Sequence, residues 1–191
     1  MPVQYTNRKG KIYFLHEGST KKGNLKYTLS QSKEAALNII PEGYEIYENP
    51  NAQVFLRRIK PKLIKKTEEI LVKEKLIKLI EQKYCKLTIE KKTITIYLAD
   101  QDVEKIREIW KNTPRAQKEG VEVLIDQEIT YSPVIQLVLQ SQKERLFVVK
   151  IVDYEEGNRM WEIVNAPDRL EYLIPIISEE IDIETYYSFP F

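Results

Sequence analysis

VIQLVLQSQKERLFVVKIV, residues 134–152, is the stretch whose reading decides the fold. In its first half Ile135, Leu137 and Leu139 fall on one face; in its second half Phe147, Val149 and Ile151 do the same. Strand side chains point alternately to the two faces of a sheet, so an apolar period of two reads as strand. SQKE at 141–144 is the turn that reverses the chain, and the two runs pair antiparallel. Just upstream, Ser132-Pro133 also suits a helix start, so a helical reading competes there.

Outward from this pair the chain alternates hairpins with helices. Residues 11–15 (KIYFL) and 25–29 (LKYTL) read as strands joined by HEGSTKKGN, whose Gly18, Gly23 and Asn24 suit turns. SKEAALNI from Ser32 reads as a short helix capped by that serine and stopped by Pro41. PEGYEIYENPNAQVFLRR, residues 41–58, reads as a second hairpin around Asn49-Pro50-Asn51-Ala52, a type I turn with proline second. Proline cannot take positive φ, which excludes the two-residue type I′ loop. Both faces of that hairpin are half apolar, so each is expected to pack on something.

From Thr67, read as a cap, TEEILVKEKLIKLIEQKY carries Leu71, Val72, Leu76, Leu79 and Ile80 at helical spacing. KLTIE and TITIYL follow as strands, then DVEKIREIW as a helix capped by Asp100 or Asp102 and burying Val103, Ile106 and Trp110. NTPRAQKEG reads as a polar link. VEVLI at 121–125 and RMWEIV at 159–164 read as strands, and DRLEYLI as a helix that Pro175 bends or ends. No β-α-β series appears, so the class is α+β: antiparallel hairpins with interspersed helices. Pro61 marks a boundary between a small basic hairpin-rich module, 1–60, and a larger α+β part, 61–191; one fused domain over 1–191 is the alternative.

The chain has 191 residues, 42 % hydrophobic and 31 % charged, which excludes global disorder. No run reaches the ~20 apolar residues of a membrane span, and the first residues lack the apolar core of a secretory signal. A lone cysteine, Cys85, fits a reducing compartment, so a cytoplasmic location is expected. The net charge of +1 hides an asymmetry: residues 1–92 hold 20 Lys+Arg against 10 Asp+Glu, and the rest hold 10 against 19. Such a split hints at nucleic acid or at complementary protein surfaces.

The segments YFL at 13–15, TKKG at 20–23 and PEGYEIYENPNAQVFLRR at 41–58 resemble the opening of an uncharacterised family of bacterial proteins. The resemblance covers about the first third of the chain. It implies a bacterial cellular protein and supplies no catalytic or ligand residue.

Chemistry is sparse. GSTKKGN at 18–24 has Asn24 and Leu25 where a phosphate loop needs Lys and Ser/Thr. His16 is the single histidine, so any Ser or Cys nucleophile would depend on that one imidazole; a turn residue is the simpler role. One His and one Cys cannot furnish structural zinc. Asp126 and Glu128, two apart on a presumed strand, would share a face and could hold Mg²⁺ for a metal-dependent nuclease. The N-terminal half interleaves aromatics with cations at Tyr13, Lys21, Lys22, Lys26, Tyr27, Arg57, Arg58 and Lys60, the pattern of single-strand nucleic-acid binders. The acidic-aromatic ending offers Tyr186, Tyr187, Phe189 and Phe191 to a partner or to the chain's own body. The expectation is a non-enzymatic interaction module, with a protein partner or a second copy foremost. RNA or single-stranded DNA comes next and a metal nuclease last; no cofactor, small-molecule substrate or membrane is expected.

Overall fold

The computed structural model describes residues 1–77, 85–155 and 158–180. The elements begin with β1 (Gln4–Thr6), β2 (Ile12–Ser19), β3 (Leu25–Ser30), β4 (Tyr44–Glu48) and β5 (Val54–Arg58). Then come α1 (Lys66–Val72), continued by a wider π-helical turn over Lys73–Ile77, β6 (Cys85–Glu90) and β7 (Thr93–Ala99). Three short helices follow, α2 (Val103–Trp110), α3 (Pro114–Glu119) and α4 (Val121–Glu128). The chain closes with β8 (Tyr131–Ser141), β9 (Leu146–Glu155), β10 (Asn158–Ile163) and α5 (Leu170–Glu180). All strand pairs are antiparallel and the fold is α+β.

Two compact units are formed, Met1–Lys60 with Ile109–Glu128, and Pro61–Glu108 with Ile129–Phe191. In the first unit β1, β2 and β3 make a three-stranded sheet and β4 and β5 a hairpin. The hairpin turn is the one its sequence dictates. Ala52 N–H donates to the Asn49 carbonyl (2.9 Å) across Pro50 and Asn51, and Asn49 N–H donates to the Gln53 carbonyl (3.0 Å). This is a type I turn followed by one left-handed residue, and Ala52 takes that position at φ 61°. The first unit buries Leu15 and Phe14, and also Leu124 and Ile125 of α4.

The second unit is a meander, in the order β10-β9-β8-β7-β6. The alternation in residues 134–152 delivers its core. Ile135 pairs with Ile151, Leu137 with Val149 and Leu139 with Phe147, and Ile94 and Ile96 continue the same face on β7. That face packs on Val72 of α1 and on Leu170, Leu173, Ile174 and Ile177 of α5. Each fully buried aliphatic side chain contributes about 1.5–3 kcal/mol.

Several local expectations are overturned. VEVLI is not a strand: 121–128 is helix α4. Gly120 (φ 91°) ends α3 and the chain turns straight into a new helix that buries Leu124 and Ile125. NTPRAQKEG is not a link but contains α3, capped by the Thr113 hydroxyl accepting from Ala116 N–H (3.1 Å) with Pro114 at the first position. SKEAALNI forms no helix: Ser32 Oγ does accept from Glu34 N–H, but Ala35 at φ 56° breaks the spiral. Thr67 is not the cap of α1; Lys65 is, with its N–H donating to the Glu68 carboxylate (2.7 Å). Leu79 and Ile80 of that expected helix lie outside the described residues. β2 extends to Ser19, so His16 is mid-strand rather than in a turn. Pro175 does not end α5, which runs on to Glu180.

Candidate functional site

The predicted basic cluster falls in the first unit, and the strands divide it. Register places Tyr5 opposite Tyr13, Leu15 opposite Leu29 and Glu17 opposite Tyr27, so Tyr13 and Tyr27 share the face of the fully buried Leu15. Both tyrosines are half-buried, whereas Lys21, Lys22, Lys26 and Lys60 are exposed. Tyr27 meets Tyr44 edge-on at 5.5 Å, and the exposed Arg58 lies 5.7 Å over the Tyr44 ring. Arg57 sits on the opposite face of the hairpin, 3.6 Å over Tyr47 and bonded to Glu45 (2.9 Å). The structure therefore brings Tyr27 and Arg58 together, with Tyr44 between them, and commits Arg57 to its own hairpin.

A polar clamp holds this unit. Arg8 donates through Nε and Nη2 to the Pro50 carbonyl (3.2 and 2.8 Å) and through Nη1 to the Asp126 carbonyl. Its N–H donates to Glu48 (3.0 Å), whose other oxygen accepts from the Tyr5 hydroxyl (2.9 Å). Burial first, then that carboxylate, raise the Tyr5 pKa above its ordinary value. Asn7, 4 % exposed, donates to the Ala52 carbonyl (2.8 Å).

The presumed metal pair dissolves. Asp126 and Glu128 lie on a helix, where residues two apart point roughly 200° away from each other. Asp126 faces the Arg8 guanidinium at 3.6 Å. Among the described residues no group of three or more His, Cys, Asp and Glu could hold a metal ion. His16 Nε2 lies 2.9 Å from Ser30 Oγ and 3.0 Å from the Ser32 carbonyl. Both contacts are local to the β2–β3 hairpin and its exit, and neither brings a carboxylate to the ring. Burial pushes the Cys85 thiol up to about 12, which leaves it protonated and a poor nucleophile. Tyr186, Tyr187, Phe189 and Phe191 lie outside the described residues.

The second unit offers two surfaces. One is a groove of about 1010 Å³ between the start of α1, the β8–β9 turn and the start of α5. Phe147 and Leu170 form its floor. Arg145, left-handed at φ 58°, closes a bidentate pair with Glu68 (2.8 and 2.5 Å) and reaches the Leu63 carbonyl (3.2 Å). Around the rim Lys65, Lys143, Arg145 and Arg169 face Glu68, Glu144 and Glu171, so the charges nearly balance and no sign of ligand is selected.

The other surface is β10, an edge strand that pairs only with β9 among the described residues. Its backbone orientation follows from one bond: Val164 N–H donates to the Val149 carbonyl (3.2 Å), in register with the β9–β10 pairing. Hydrogen-bonded pairs recur every second residue in an antiparallel ladder, so Glu162 and Met160 also turn their amides to β9. Arg159, Trp161 and Ile163 then direct N–H and C=O outward. Met160, Ile163 and Val164 are 51, 54 and 46 % exposed, Arg159 and Glu162 are exposed, and Arg159 lies 5.5 Å over the half-buried Trp161 ring. The sequence shows 159–164 as a strand but gives no separate mark of an edge. The available signal was position, because the last strand of a meander has only one neighbour, together with apolar residues on both faces.

No helix among the described residues is long and apolar enough to cross a membrane. No family model, curated protein or solved structure matches the chain.

Proposed function

We propose that this chain is a protein-interaction module that binds by strand addition at the β10 edge. One observation carries the reading: the outward amides of Arg159, Trp161 and Ile163 run beside exposed Met160, Ile163 and Val164. Main-chain bonds to an added strand supply affinity, and the alternating side chains supply selectivity. Natural edges are usually blunted by charged side chains, proline or a bulge; Asn158–Ile163 carries the charges Arg159 and Glu162 but no proline, and its pairing to β9 is without a shift. The test is a photo-cross-linking residue in place of Met160, activated in the cells that make the chain. A discrete protein adduct is expected, and Ile163→Pro in the same chain removes it. Absence of any adduct ends the reading.

A second reading rests on the first unit. Arg58 over Tyr44, itself against Tyr27, with the exposed Lys60 two residues beyond Arg58, supports weak binding of RNA or single-stranded DNA. Each lost phosphate contact flattens the salt dependence by about 0.7 in slope. The double change Arg58→Ala, Lys60→Ala should do so by about twice that, and no binding by the native chain at ~50 mM salt removes the reading.

A further inference from the structure

We infer that the partner of the β10 edge is a second copy of this chain, joined antiparallel about a two-fold axis at Trp161; this rests on the strand-addition reading above. A two-fold axis perpendicular to a sheet leaves its faces in common, so opposed residues must point to the same face. The two numbers of every opposed pair then differ by an even count. The outward amides belong to Arg159, Trp161 and Ile163, a set symmetric about Trp161. Setting Trp161 against Trp161 of the second copy places Arg159 against Ile163 in both directions. Three hydrogen-bonded pairs form, each exchanging both bonds, for about six bonds in all.

The side chains agree with this register. Met160 falls opposite Glu162 of the second copy, so no charge faces its like, which would be destabilising. On the opposite face the two Trp161 rings meet at the axis, each already flanked by Arg159 of its own strand. Exposed Met160 and Ile163 both gain a neighbour. Shifting the axis to Met160 keeps the faces matched but leaves Ile163 without an opposed residue on the strand. A five-residue strand contact buries less than the roughly 1,000 Å² of a lasting interface, so the association is weak, with a Kd on the order of 10–100 μM.

Sedimentation of the full chain from ~1 to ~300 μM tests this, since a micromolar Kd lies inside that range. The mean mass is expected to climb from one chain towards two. Ile163→Pro should hold it at one, because proline there removes only an outward N–H and is tolerated on an edge. Ile163→Lys gives the same answer without a backbone change. The register has its own readout: Trp161→Cys should form a disulfide-linked dimer on mild oxidation, with Cα atoms at roughly 5.5 Å as bridging requires. A single-chain mass throughout overturns the inference, as does a dimer that both Ile163 variants leave intact. A cross-link from position 160 to a different protein, with a single-chain mass, overturns self-association and leaves strand addition standing.

Discussion

β6 and β10 bound the same five-stranded sheet, yet they present different surfaces. On β6, Cys85 is buried and Lys86, Leu87, Thr88 and Ile89 are all half-buried, leaving Glu90 as the one exposed residue. On β10, Arg159, Met160, Glu162 and Ile163 are exposed and only Trp161 is half-covered among those whose burial is described. Both strands leave one row of amides without a strand partner among the described residues. What separates them is the side chains flanking that row: exposed apolar groups give an added strand something to bury, and buried ones have nothing left to offer.

The sharpest way to break this contrast is to move from the edge to the centre. Leu137, fully buried between β7 and β9, is expected to cost about 2–5 kcal/mol when changed to Ala, measured by urea unfolding. Next in size is Glu68→Gln, which leaves the Arg145 guanidinium without its carboxylate in a site where the two side chains are 19 and 12 % exposed (Arg145 and Glu68). A loss of roughly 1–3 kcal/mol is expected, with β10 pairing unaffected.

A smaller effect belongs to Glu69, whose pKa is lowered first by its bond to Lys73 (2.7 Å), against a desolvation that raises it, and further by Lys66. A depressed carboxylate stabilises above its unfolded pKa, and that stability is lost as pH falls through the folded value. Lys73→Met should therefore cost about 0.3–0.5 kcal/mol at neutral pH, with the difference fading as solutions become acidic. Least of all, Ile163→Lys should change the monomer's stability by no more than about 0.5 kcal/mol while abolishing association. A loss as large as that at Leu137 would show that β10 is covered rather than open.

The readable parts of this fold are those where one force sets one pattern. Burial on a sheet face imposes period two, and Ile135, Leu137, Leu139, Phe147, Val149 and Ile151 display it without interruption. Pro50 at the second position of its turn is equally direct. Residues 121–125 misled because valines at alternate positions favour strands locally, while the helix is selected by burying the adjacent pair Leu124 and Ile125. The signal at Thr113-Pro114 was present, since a threonine cap and a first-position proline both mark a helix start. Nothing local announces that Ile109–Glu128 belongs with Met1–Lys60, because the tie is Arg8 to Asp126, 118 positions apart. Of the expected site residues, Tyr27 and Arg58 converge through Tyr44, a residue that alternation alone could not pair with β3. The β10 edge is a property of sheet order, which no single strand encodes.

Residue-resolved amide exchange at low and high protein concentration tests the central claim most directly. When dilute, the amides of Arg159, Trp161 and Ile163 should exchange quickly and those of Met160 and Glu162 slowly, since only the latter are bonded to β9. At high concentration the first three should slow by about tenfold or more, as a new ladder takes them up, and Ile163→Pro should restore fast exchange at Arg159 and Trp161. Slow exchange of Arg159, Trp161 and Ile163 already in dilute solution, or rates that do not change with concentration, would contradict an open edge that pairs with its own copy.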